Sequence, residues 1–203
     1  MDIVLIALYV ACELTANVTA SKPVAVAGVV VPAGVFIYAL TFTLIDLINE
    51  RLGKVRARQV VYGAFAGNLL LAGYAAFAIW LPPAGFYPHQ GAYATVLGAT
   101  PRIVAASLLA YLVSALLDTE IFAWWRARVR GHRWARVVVS NSLSTFVDSV
   151  VFITGAFYGI LPLWPLIWGQ YLWKMIITAA SIPLIYLARG EWPGQLSPGK
   201  AAP

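Results

Sequence analysis

The chain has 203 residues, of which 61% are hydrophobic and 11% are charged, with a mean hydropathy of +0.79 and a net charge of +6. This composition excludes an ordinary soluble domain and is typical of a polytopic membrane protein. The basic residues cluster in short stretches between apolar runs, where membrane topology explains them better than nucleic-acid binding, so no nucleic-acid partner is expected.

The first apolar run, residues 1–20, predicts a membrane helix. It carries Asp2 and Glu13 in place of the positive residues that begin a signal peptide, so we expect it to be retained. Tyr9, Glu13 and Asn17 recur at every fourth position and share one face, which should look into the protein. An ionisable residue in an apolar span marks a substrate or ion path or a buried pair, and both interpretations of Glu13 stay open.

Residues 21–34 are rich in proline and glycine and predict a turn region before a second helix over residues 31–49. Tyr38, Phe42 and Asp46 are spaced by four on this helix and form another inward-facing stripe. A basic cluster then predicts a cytoplasmic loop before a third helix over residues 59–81; its members are Arg51, Lys54, Arg56 and Arg58.

Residues 82–101 are rich in proline, glycine and aromatic residues and predict an interfacial loop. A fourth helix is predicted over residues 102–124, with Ser107, Tyr111 and Asp118 on one face. A polar stripe of this kind is hard to explain on a lipid-facing surface, so we expect it to face the protein interior.

An arginine-rich segment over residues 126–136 predicts a second cytoplasmic loop, which we favour over a patch for anionic lipid or nucleotide. A fifth helix is predicted over residues 137–157 and a sixth over 165–188, followed by a short cytoplasmic tail, 189–203. The inward-facing stripes of these two helices hold Asn141, Asp148 and Phe152 in the fifth, and Gln170, Lys174 and Thr178 in the sixth.

The sequence thus predicts an all-α integral membrane protein with a single domain, residues 1–188, that crosses the bilayer six times. Both termini are expected on the cytoplasmic side, because that assignment puts nearly all basic residues there. With a rise of about 1.5 Å per residue, three charged residues fall near the midplane: Glu13, Asp148 and Lys174. Lys174 can also neutralise a buried acid such as Asp148, which leaves a structural role open for part of this set.

Signatures of soluble enzymes are missing from the sequence: there is no Walker loop, no Gly-rich dinucleotide motif, no HExxH and no Gly-x-Ser-x-Gly. Cys12 is the single cysteine, and both histidines are predicted in loops, so no metal site, cofactor or catalytic residue is expected. An intramembrane enzyme stays open as a weaker hypothesis, since paired carboxylates can do acid or base chemistry.

Several segments in order resemble the VUT family of queuosine precursor transporters. They are Asn17, the run PAGVFIYALTFTLIDLINERLGKVRAR, the run PRIVAASLLAYLVSALLDTEIF, the segment STFVDSVVF and Lys174. The resemblance implies uptake of 7-cyano- or 7-aminomethyl-7-deazaguanine across the bacterial inner membrane by a six-helix secondary or facilitative carrier. The alternative is a substrate-binding subunit of an energy-coupling-factor importer. The driving ion, the preferred deazaguanine and the choice between monomer and homodimer stay open.

A deazaguanine ligand would place a ring N–H beside an exocyclic amine, and a carboxylate can accept from both. We expect Asp148 or Glu13 to supply that carboxylate, and Lys174 or Gln170 to donate to the ring carbonyl. The remaining predicted contacts are Asn17, for polar groups, and Phe42, Tyr111 and Phe152, for stacking on the planar ring.

A second set of charged residues is predicted to lie nearer the membrane boundary. Asp46 and Asp118 fall near basic side chains, and Arg58 and Arg102 belong to the same set. Charge pairs among these residues could close the cytoplasmic side and break during turnover. Static anchoring of the basic loops is an equally open interpretation.

Overall fold

The computed structural model describes residues 2–128 and 133–189, and their side chains except those of 46, 50, 115, 118–128, 133–141 and 181–189. The described chain forms six α-helices and one β-hairpin. In order they are α1 (Asp2–Thr19), β1 (Pro23–Val26), β2 (Val29–Pro32), α2 (Val35–Trp80), α3 (Gln90–Leu97), α4 (Thr100–Arg128), α5 (Arg133–Phe157) and α6 (Leu163–Arg189).

Three helical segments in the described residues are long and apolar enough to cross a membrane: Asp2–Thr19, Arg51–Trp80 and Gln90–Ser114. Two further apolar helices, Val35–Asn49 and Ser142–Phe157, are shorter. The predicted class, a helical membrane protein, is therefore confirmed, while the number of six spans stays a prediction.

The predicted basic loop between the second and third helices is wrong, because the chain is helical on both sides of Gly53 and forms the single element α2. Gly53 has φ 81° and ψ 163°, a conformation that glycine adopts and other residues essentially do not. Arginine, lysine and leucine are good helix formers, so a cluster of them does not end a helix. The glycine alone interrupts the helical backbone.

The chain turns back on itself at Gly53, so α2 consists of two antiparallel arms, residues 35–52 and 54–80. Near one end of α1, Ile48 and Ala57 belong to one buried cluster with Tyr9. Near the other end, α1 contacts the start of the first arm and bonds to the middle of the second. Residues on either side of Gly53 thus meet in pairs, as two antiparallel helices require.

The region predicted as a turn contains an antiparallel β-hairpin, which the sequence analysis missed. Val24, Val26 and Val29 to Val31 are β-branched and favour strands, and Val26 pairs with Val29 across a two-residue turn. Ala27 and Gly28 in that turn both have positive φ, 51° and 78°. This is the signature of a type I′ turn, whose twist matches that of the strands.

Strand β2 lies directly against α6. A Cβ atom added to Gly169 would lie 2.0 Å from the carbonyl oxygen of Val30, so the strand and the helix touch backbone to backbone. Val31 of the same strand is fully buried. The end of β2 is therefore part of the protein interior, whereas the turn and alternate residues of β1 are exposed.

The remaining helices also differ from their predicted bounds. Residues 90–97 form the short helix α3 inside the segment predicted as a loop, and α4 begins at Thr100 with Pro101 in its first turn, a position that proline favours. The predicted arginine-rich loop is helical at both ends, since α4 continues to Arg128 and α5 starts at Arg133. Residues 129–132 and the predicted tail from 190 lie outside the described residues.

Helices α4 and α5 pack closely and are joined at one end by Arg102. A Cβ atom on Gly155 would lie 2.9 Å from that of Ala106. The Arg102 guanidinium donates to the carbonyl oxygens of Gly155 (2.8 Å) and Tyr158 (2.7 Å) at the end of α5, which its positive charge suits. Together with α6, these helices enclose a second buried cluster that includes Ile103, Ile153 and Leu166.

Candidate functional site

A cavity of about 380 Å³ lies where α1, the first arm of α2, α4, α5, α6 and the end of β2 meet. We call it the pair cavity. The residues that line it are Ala16, Asn17, Ala20, Pro32, Gly34, Val35, Tyr38, Ser107, Ala110, Asp148, Phe152, Gln170 and Lys174.

An ion pair between α5 and α6 forms the charged wall of the pair cavity. The Lys174 ammonium donates to the Asp148 carboxylate, and the two side chains are only 4% and 13% exposed. The same ammonium lies 4.8 Å from the centre of the Tyr38 ring, which adds a cation–π contact from α2. Both charges are thus removed from solvent and compensated locally, as a buried pair requires.

Buried amides form the opposite wall. Asn17 of α1 donates to the side-chain oxygen of Asn68 in the second arm at 2.7 Å, and Asn68 donates to the carbonyl of Ala64 at 3.0 Å. Close backbone contact holds this wall together, since a Cβ atom on Gly34 would lie 2.2 Å from the carbonyl oxygen of Ala16. The sequence analysis missed Asn68, although an asparagine inside an apolar span was a usable signal.

Two further side chains complete the pair cavity with different chemistry. Gln170 lies one turn before Lys174 on α6 and is 3% exposed, so it brings a buried amide beside the ammonium. Phe152 lies one turn after Asp148 on α5 and makes an edge contact with Phe157, with ring centres 6.1 Å apart. The cavity therefore offers a carboxylate, an ammonium, amides and an aromatic face within one enclosure.

A second cavity of about 500 Å³ adjoins the first and contains Glu13. We call it the Glu13 cavity. Tyr9 and Thr41 lie beside the Glu13 carboxylate, and Phe65 and Tyr111 meet edge to face on the wall, with ring centres 5.1 Å apart. The residues that line it are Tyr9, Glu13, Tyr38, Thr41, Phe42, Ile45, Val61, Phe65, Ser107, Leu108 and Tyr111.

Tyr38 and Ser107 line both cavities and form the wall between them. The structure therefore divides the predicted set of contact residues in two. The pair cavity holds Asn17, Asp148, Phe152, Gln170 and Lys174, and the Glu13 cavity holds Glu13, Phe42 and Tyr111. Tyr38 and Ser107 lie on stripes predicted to face inward, but the sequence did not show that they stand between the two groups.

Of the residues predicted to form gating charge pairs, the structure describes the side chains of Arg58 and Arg102. Arg58 is exposed near Tyr111, and Arg102 bonds to carbonyl oxygens at the end of α5. The side chains of Asp46 and Asp118 lie outside those described, so their pairing stays a prediction. In the same described part of the chain, no three histidine, cysteine or acidic side chains cluster as metal ligands do.

Comparison with known proteins assigns the chain to a family. The family described as "Putative vitamin uptake transporter" matches residues 32–188. A relative in Bacillus subtilis (strain 168), named "Probable queuosine precursor transporter", is 31% identical over 179 residues, which cover 86% of this chain and 78% of the relative. No solved structure matches the chain. The resemblance stated from the sequence motifs is thereby confirmed, and the chain belongs to the family of vitamin uptake transporters.

Proposed function

We propose that this protein is a carrier for a queuosine precursor, 7-cyano- or 7-aminomethyl-7-deazaguanine, which it brings into the bacterial cell across the inner membrane. The observation that carries the proposal is the pair cavity, in which a carboxylate, an ammonium and buried amides line one space. The relative named as a queuosine precursor transporter supports the choice of substrate.

The two members of the ion pair match the guanine-like edge of a deazaguanine. The Asp148 carboxylate can accept from the ring N–H and the exocyclic amine, while Lys174 donates to the adjacent ring carbonyl. Asn17 and Gln170 offer amides for the remaining polar groups, and Phe152 offers a face for the planar ring. An adenine-like ring presents an acceptor where Asp148 needs a donor, so it should be rejected.

Purified protein in liposomes tests the activity. Vesicles preloaded with unlabelled 7-cyano-7-deazaguanine should take up the labelled compound by exchange, with no other protein present. A large excess of external guanine should compete, whereas adenine at the same concentration should not, because only guanine has the matching donor edge. Exchange that needs an added ATPase would indicate an importer subunit, and chemical alteration of the compound would indicate an enzyme.

For the membrane topology we propose six spans: α1, the two arms of α2, α4, α5 and α6. The reversal at Gly53 supports this count, since it lets α2 cross twice. Arg51, beside the reversal, lies 3.6 Å from Asp2 at the start of α1, so the N-terminal end and the first basic cluster are at the same end of the molecule. Basic clusters favour the cytoplasm, which would put both chain termini inside.

Cysteine labelling tests this orientation. Single cysteines at Gln90 and Arg130, in a background carrying Cys12→Ala, should react with a membrane-impermeant maleimide from opposite faces. The cysteine at position 90 should react in cells whose outer membrane has been permeabilised. The cysteine at position 130 should react only after the inner membrane has been permeabilised as well. Labelling of both positions from one face would contradict the six-span arrangement.

A further inference from the structure

We propose that the Glu13 cavity is a proton-binding site and that the proton carried by Glu13 accompanies the substrate, so that a proton gradient drives uptake. This inference rests on the transport activity proposed above and names the ion that powers it. It starts from a charge count around the two cavities. The described charged side chains that line them are Glu13, Asp148 and Lys174, two acids and one base.

The single ammonium has to serve both acids. Among the described side chains, the ion pairs join Asp148 to Lys174 and Asp2 to Arg51, and Glu13 belongs to neither. The charge of Lys174 favours the Glu13 carboxylate, and that of Asp148 opposes it to a lesser degree. When that ammonium is engaged elsewhere, Glu13 is left without a cation and is most cheaply neutralised by a proton.

The groups that face Glu13 suit a carboxyl group that alternates between its protonated and its deprotonated form. They are Tyr9 and Cys12 on α1, Tyr38 and Thr41 on α2, and Tyr111 on α4, with Asp148 and Lys174 beyond. Hydroxyl groups can donate to a carboxylate and accept from a carboxylic acid, so they serve both forms.

The residues that line the Glu13 cavity suit a sodium ion less well than a proton. Transporters bind sodium largely through backbone carbonyls freed where helices unwind. Every residue that lines the Glu13 cavity lies within the regular helices α1, α2 and α4, away from the break at Gly53. The carbonyls of these residues are therefore engaged in helical hydrogen bonding.

The wall shared by the cavities links the proton to the substrate. Lys174 lies over the ring of Tyr38, which also lines the Glu13 cavity. A substrate that accepts from Lys174 and donates to Asp148 fixes the ammonium at its own carbonyl, and the ammonium then offsets the charge on Glu13 less well. The loaded carrier therefore keeps its proton. Without substrate, Lys174 bonds Asp148 and its charge still favours the Glu13 carboxylate, so the proton is released.

Glu13→Gln tests the proposal, because glutamine resembles the protonated acid but cannot release a proton. In wild-type vesicles, an external medium one pH unit more acidic than the lumen should drive about tenfold accumulation of 7-cyano-7-deazaguanine, since one pH unit is a tenfold ratio of proton activity. Glu13→Gln should lose this accumulation while measurable exchange continues, because it can no longer bind and release a proton. Asp2→Asn, an acid-to-amide change at the exposed start of α1, is the matched control and should accumulate as wild type does.

A second measurement does not depend on the variant. Wild-type protein in detergent and weak buffer should take up about one proton for each 7-cyano-7-deazaguanine bound, because binding and protonation are linked. Absence of proton uptake on binding, accumulation driven by sodium, or full accumulation by Glu13→Gln would each overturn the proton site. Loss of exchange in the wild type itself would instead overturn the proposed transport function, and this inference with it.

Discussion

Lys174→Met should lower the stability of the purified protein by about 3–5 kcal/mol, because it leaves the Asp148 carboxylate buried without its partner. Adding Asp148→Asn to the same protein should restore most of this loss, since no uncompensated charge then remains. Thermal unfolding in detergent, followed by the near-ultraviolet signal of the tryptophans, measures both effects. Arg51→Met is the matched control: its pair with Asp2 is exposed, so the loss should stay below about 1 kcal/mol.

The same variants separate the structural role of the pair from its role in binding. Asp148→Asn alone should weaken binding of 7-cyano-7-deazaguanine by more than tenfold, because a hydrogen bond to a charged group contributes roughly 1.5–3 kcal/mol. The double variant Asp148→Asn with Lys174→Met should be folded yet bind no better. If the double variant binds as the wild type does, the two charges of the pair only neutralise each other, and the substrate binds elsewhere.

Gly169→Ala should lower transport at least tenfold while leaving the membrane helices assembled. The added methyl group would lie 2.0 Å from the carbonyl oxygen of Val30 and 2.8 Å from a methyl group of Val31, both in strand β2. The strand must then move away from α6. Because Pro32 ends that strand and lines the pair cavity, and Gln170 follows Gly169 on the helix, the shift deforms the proposed binding site.

Exchange of labelled 7-cyano-7-deazaguanine in liposomes measures this effect, and we expect a loss of at least tenfold for Gly169→Ala. Gly73→Ala is the matched control, because Gly73 is also helical but nothing lies within 4 Å of the added methyl group. Its exchange should equal that of the wild type, with helix stability raised by up to about 1 kcal/mol. If Gly169→Ala exchanged substrate as the wild type does, the contact between the hairpin and α6 would not be needed for transport.

Helical periodicity predicted the inward-facing residues well. Residues at fourth positions, such as Asn17 and Lys174, line the pair cavity as their stripes indicated. Periodicity assigns a side chain to a face of its own helix, however, and does not fix the rotation of one helix relative to another. It therefore could not show that Glu13 and Asp148, which are at similar predicted depth, belong to different cavities separated by Tyr38.

The misplaced boundaries have a common physical origin. The loop predicted before Gln59 was inferred from charge, but charge decides on which side of a membrane a segment lies and has little effect on whether it is helical. The hairpin was missed because Pro23, Gly28 and Pro32 indicate a turn, while the valines between them are as common in membrane helices as in strands. The contact of Val30 with Gly169, far away in sequence, stabilises the strand.

The reversal at Gly53 also limits how the molecule can deform. Only one residue joins the two helical arms. At that end the arms therefore cannot separate and can only pivot about Gly53. Further along, the bond between Asn17 and Asn68 and the contact of Gly34 with Ala16 tie both arms to α1. We therefore expect these three segments to move as one unit. In the proposed carrier, alternating exposure of the pair cavity should then come from movement of this unit against α4 and α5, because the hairpin ties it to α6.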